Sequence, residues 1–66
     1  MTQANRAYDL QVTYDTIEVV ELATGEVVLF WDVPPDRVRR MARALRADLV
    51  ALDPEAFIAR WSGVEP

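Results

Sequence analysis

The sequence predicts an α+β fold of ββ(β)αα form: a small antiparallel hairpin or three-stranded meander, then one long and one short α-helix. Three observations carry this expectation. Two β-rich runs, Thr16–Leu22 and Glu26–Asp32, flank Ala23-Thr24-Gly25, where a glycine can take the positive φ that a tight turn needs. An alternating stretch, Tyr8–Tyr14, precedes them. After Pro34-Pro35 the apolar residues change from a period of two to a spacing of three and four, the mark of a helix with one buried stripe.

The hairpin organises the rest. A three-residue loop with Gly25 in the left-handed position sets Leu22 opposite Glu26, Val20 opposite Val28, Val19 opposite Leu29 and Ile17 opposite Trp31. Side chains alternate along a strand, so two faces follow. One carries Ile17, Val19, Val27, Leu29 and Trp31 with Glu21; the other carries Val20, Leu22, Val28 and Phe30 with Glu18 and Glu26. Both faces are apolar, and a slip of one residue exchanges pairings without changing that.

Upstream, Tyr8, Leu10, Val12 and Tyr14 point one way, with Asp9, Gln11 and Thr13 the other. The apolar phase shifts across Asp15-Thr16. A tight turn there faces Tyr14 to Ile17 and Val12 to Val19, giving a three-stranded meander; a bent continuous strand from Tyr8 to Leu22 is the rival. Residues 1–7 lack periodicity and read as a flexible lead.

Prolines end the sheet because they donate no ladder hydrogen bond, and Pro35 suits the first helical position. Val33 and Val38 are spaced to staple that helix start. The long helix runs to about Ala51, with Val38, Met41, Ala42, Leu45, Leu49 and Leu52 as its stripe. Asp53-Pro54-Glu55 restarts a short helix that carries Phe57, Ile58 and Trp61 and stops near Gly63, leaving 64–66 as a frayed tail. Tyr8, Tyr14 and Trp31 are expected in the sheet core, and Phe57 with Trp61 in helix packing.

Composition narrows the function classes. A single domain spanning 1–66 is expected, and a chain of 66 residues buries only about 60% of its unfolded surface. Disulfides, metals or association are the usual supplements. With no Cys and no His, the first two are largely closed, and association is what remains. No apolar run approaches the roughly 18 residues of a membrane span, so a cytoplasmic protein without membrane contact is expected. The absence of His, Cys and Lys removes the commonest catalytic bases and nucleophiles, and the lone Ser62 has no evident base. No enzyme, cofactor or metal site is expected.

Two candidate sites follow. The first is the second sheet face, Val20, Leu22, Val28 and Phe30 rimmed by Glu18 and Glu26, which the one long helix cannot cover as well as the first. A contiguous exposed apolar patch marks an interaction surface. The expected partner is another copy of the chain, or a larger protein to which it is an accessory or regulatory subunit. The short helix wrapping round to cover this face is the competing outcome. The second site is the helix flank Arg39, Arg43 and Arg46, with Arg37 and Arg40 further out. It could bind a polyanion such as nucleic acid, against which stand the net charge of −4 and pairing of these arginines with Asp36, Asp48 or sheet glutamates.

Overall fold

The computed structural model describes residues 2–65. Its sheet holds three antiparallel strands, β1 (Tyr8–Val12), β2 (Thr16–Glu21) and β3 (Val27–Asp32), in the order β1-β2-β3. Helices α1 (Pro35–Ala51) and α2 (Pro54–Trp61) follow. The meander forms, and the bent single strand does not.

Both helices pack on one face of the sheet, and one core joins the strands to both helices. Leu10, Ile17, Val19 and Trp31 from the strands meet Val38, Ala42, Leu45 and Leu49 of α1 and Phe57 and Trp61 of α2. The stripe on α1 falls where the spacing places it, with Met41 and Leu52 half-buried at its margin. Val33 and Val38 are both buried at the helix start, as a staple requires. Asp53 caps α2: its Oδ1 accepts the Ala56 N–H at 2.7 Å.

Aromatic contacts close the far side of the core. The Tyr8 ring stacks on Phe57 with centroids 6.2 Å apart, and Trp31 meets Trp61 edge-on at 6.1 Å. Each buried indole finds an acceptor, as buried tryptophan N–H groups generally do. Trp31 Nε1 donates to the Val64 carbonyl at 2.9 Å, and Trp61 Nε1 to Asp48 Oδ2 at 3.0 Å.

The chain ends differ from expectation. Ala4–Arg6 forms a 3₁₀ turn, Ala4 is fully buried, and its N–H donates to the Leu52 carbonyl at 2.7 Å. What reads as a loose lead is thus docked where α1 gives way to α2. Val64 likewise packs on the core beside Trp31. The remaining parts of both expectations, residues 1 and 66, lie outside the described residues.

Two registers also differ, each for a local reason. In the first turn Thr13 N–H donates to the Thr16 carbonyl, and the Thr13 hydroxyl oxygen accepts the Thr16 N–H at 3.0 Å. Closing the loop at Thr13 and Thr16 leaves Tyr14-Asp15 as its tip. Val12 therefore faces Ile17 and Leu10 faces Val19, two residues away from the expected pairing. Tyr14, expected in the core, stands 76% exposed.

In the second turn the loop is one residue longer than expected. Glu21 N–H donates to the Glu26 carbonyl, Gly25 N–H to the Glu21 carbonyl, and Gly25 takes φ +76°. Leu22 leaves the hairpin ladder and donates its N–H to the Ala7 carbonyl instead. A bulge between Val19 and Val20 then absorbs the extra residue. Ile17–Trp31 and Val19–Leu29 pair as expected, whereas Val20 faces Val27 rather than Val28.

Candidate functional site: the open face of the sheet

Because α1 and α2 lie on one side, the other face of the sheet is left to solvent. Residues paired across strands share a face, so the registers assign its rows. Asp9, Val20 and Val27 form one row; Gln11, Glu18 and Phe30 the next; Thr16 and Asp32 another. Val28, the extra residue at the bulge, has no cross-strand partner to fix its row and is exposed beside Val27. The apolar members are well exposed: Val27 50%, Val28 40% and Phe30 51%, with Val20 half-buried among them.

Of the six residues expected here, the registers bring Glu18, Val20 and Phe30 together on this face, and Val28 is exposed next to them at the bulge. The other two are corrected by the register. Leu22 is exposed, but it lines a surface depression of ≈250 Å³ bounded by Tyr8, Asp9, Arg46, Leu49 and Val50, away from Val28 and Phe30. Its N–H points to Ala7, toward the β1 edge. Glu26 pairs with Glu21 and so falls in the phase of Val19, at the hairpin end, not beside Glu18.

Five residues of this face, Asp9, Gln11, Thr16, Val27 and Asp32, escape the sequence reading of the site. Val27 was expected on the buried side, and the bulge moves it across. Asp9 and Asp32 enter only once β1 is laid beside β2 and Asp32 opposite Thr16. The outward alternation of Asp9 and Gln11 was the available signal for the first of them. With these included, every charged side chain on the open face is a carboxylate: Asp9, Glu18 and Asp32.

Five of the seven arginines lie on α1, and one of them, Arg46, shares the depression at Leu22 with Asp9. Arg37, Arg39, Arg40, Arg43 and Arg46 are all exposed on α1. Among the described residues the one salt bridge joins Arg60 Nε to Asp48 Oδ2 at 3.1 Å. Asp48, which could have paired with an α1 arginine, is thus engaged by α2 through Arg60 and Trp61. Arg39, Arg43 and Arg46 keep their charges open to solvent.

Among the described residues, no group of three or more His, Cys, Asp or Glu is placed to hold a metal ion, and no helix is long and apolar enough to cross a membrane. The architecture defines a small two-layer α+β protein with one sheet face closed and one open. Comparison with protein-family models, with curated proteins and with solved structures found no match to this chain.

Proposed function

We propose that this chain is a non-enzymatic, cytoplasmic protein-interaction module whose contact surface is the open sheet face. It either associates with its own kind through the sheet or docks on a larger protein as an accessory subunit. The observation that carries the reading is the exposure of Val27, Val28 and Phe30 around Val20, on a sheet whose other face is fully used by both helices. α2 packs through Phe57 and Trp61 against Tyr8 and Trp31, so it cannot also lie over Phe30. Full burial of an exposed apolar side chain contributes about 1.5–3 kcal/mol, and these half-exposed ones have roughly half of that left to gain before the costs of association. A patch of this kind on a small domain supports an interface over a solvated surface.

The test combines light scattering on the purified chain with affinity capture, comparing wild type with the double variant Val20→Glu/Val28→Glu. Wild type is expected to oligomerise, or to retain a partner, in a way the variant loses. A wild type that stays monomeric and retains nothing the variant loses would sink the proposal.

A second reading has one specific observation behind it: no carboxylate lies within salt-bridge distance of Arg39, Arg43 or Arg46 among the described residues. Three open guanidinium groups on one helix flank suit the phosphates of a nucleic acid. Binding would weaken steeply with salt, and Arg39→Ala/Arg43→Ala would remove it. A wild type that retards neither duplex nor single strand at low salt ends this reading.

A further inference from the structure

We infer that the chain pairs with a second copy of itself along β3, edge to edge and antiparallel, to make one continuous six-stranded sheet. This rests on the reading of the sheet as the association surface, names the partner as a second copy, and moves the self-contact from the open face to the β3 edge of the same sheet. Strand β3 is an edge of the sheet. The Val33 N–H donates to the Asp15 carbonyl at 2.9 Å, which fixes the hydrogen-bonding parity of the strand. In an antiparallel ladder, alternate residues turn both backbone groups toward the same neighbour. Leu29, Trp31 and Val33 therefore spend theirs on β2, and Phe30 and Asp32 point theirs outward. Among the described residues, no loop or tail backbone group bonds to β3 along its outer side.

Natural sheets guard such an edge with Lys, Pro, an inward charge or a covering segment. Here the edge residues are Val27, Val28, Leu29, Phe30 and Trp31, without a charge before Asp32 or a proline before Pro34. The bulge lies at the start of the strand and leaves Leu29–Asp32 regular.

Charge disfavours stacking of the open faces and removes some of the possible registers. Two open faces laid on one another would bring Asp9, Glu18 and Asp32 against a second set of carboxylates, at a penalty like charges always exact. Edge pairing avoids this. With a two-fold axis at Phe30, Phe30 meets its own image as a hydrogen-bonded pair, Trp31 meets Leu29, and Asp32 meets Val28. Centring the axis on Asp32 would oppose two aspartates; centring it on Leu29 would set Asp32 opposite Glu26. The Phe30 register opposes no like charges and covers the half-buried Leu29. Symmetric pairing of one surface with itself closes as a dimer and does not propagate.

The experiment is light scattering over a range of concentration, with amide exchange followed by NMR, on wild type, Phe30→Pro and Val20→Glu. Phe30→Pro deletes an outward N–H that the monomer does not use, so it removes the dimer while an edge strand tolerates the proline. Val20→Glu alters the open face on the central strand and leaves the dimer intact. In wild type the Phe30 and Asp32 amides are protected at high concentration and exchange freely on dilution. If Phe30→Pro unfolds, that exchange on wild type decides alone. A dimer that survives Phe30→Pro, or a dimer with both amides unprotected, overturns the edge pairing. So does a wild type that remains monomeric at millimolar concentration; one that nevertheless captures a larger protein through Val20 and Val28 leaves the docking reading standing.

Discussion

The two faces of this sheet are built from nearly the same residue types and have opposite fates. The face with Leu10, Ile17, Val19 and Trp31 is buried under two helices; the face with Val20, Val27, Val28 and Phe30 is left open. Hydrophobicity alone therefore does not say which side of a strand is inside. What decides is the supply of covering elements. α1 and α2 both present their apolar stripes to the same side, because α2 is tied back onto it by Asp48, which receives Trp61 Nε1–H and Arg60. A short link at Leu52-Asp53 gives α2 no reach to the other side.

The sharpest way to break this contrast is to empty the closed face. Phe57 is fully buried between Tyr8 and Trp61, so Phe57→Ala should lose about 3–5 kcal/mol. A core in a domain this small supplies roughly 3–5 kcal/mol in total, so the expected outcome is an unfolded chain by circular dichroism. A cooperative melt near the wild-type midpoint would mean the two helices do not close the sheet through this ring.

Next in size is the tie that holds α2 in place. Trp61→Phe removes the Nε1–H donated to Asp48 and also the part of the indole that packs beside Trp31 and Phe57, so a cavity cost adds to the lost hydrogen bond. A hydrogen bond to a charged group is worth about 1.5–3 kcal/mol, and the loss should appear in denaturant titration as a shifted midpoint. Asp48→Asn, which still accepts from Trp61 but no longer pairs with the mostly exposed Arg60, should lose much less. Equal losses in the two variants would assign the tie to charge instead of to the indole.

How far the sequence was legible follows the same contrast. The elements themselves were readable: alternation marks β1, the prolines and the change of period mark α1, and Asp53-Pro54 marks α2. The closed core was readable too, because burial follows the 3.6-residue stripe on α1. The two turns were not. Thr13 and Thr16 close the first loop through hydroxyl-to-backbone bonds that compete with a loop one residue along by a small energy difference. The bulge after Gly25 is likewise a local compromise that no period reveals. On the open face, Val20, Val28 and Phe30 were legible since either register leaves them together, whereas Val27, Leu22 and Glu26 changed sides or place with the bulge. The docking of Ala4 under Leu52 is a tertiary contact of one small side chain, and nothing in its neighbours' pattern announces it.

Gly25 offers a test of that compromise. Its φ of +76° is expensive for a residue with a Cβ, although no atom lies within 4 Å of where the Cβ would stand. Gly25→Ala should therefore lose about 1–2 kcal/mol through the backbone alone. Gly25→Asn, which visits this region more readily, should recover part of it. An alanine variant as stable as wild type would show that the loop can slip to another register, and with it Val27 could return to the closed side.

The smallest expected effect belongs to the open face itself, and it separates folding from association. Phe30 is half exposed on the outward side of an edge strand, and Thr, being β-branched, also favours strands. Phe30→Thr should shift the unfolding free energy by no more than about 0.5 kcal/mol when measured at low micromolar concentration, where the chain stands alone. At high concentration a paired wild type gains stability by mass action, and the variant should gain less because it contributes no ring to the contact. A large loss at low concentration would place Phe30 in the monomer's own core and make the two faces alike. A gap between wild type and variant that widens with concentration would instead tie this side chain to association.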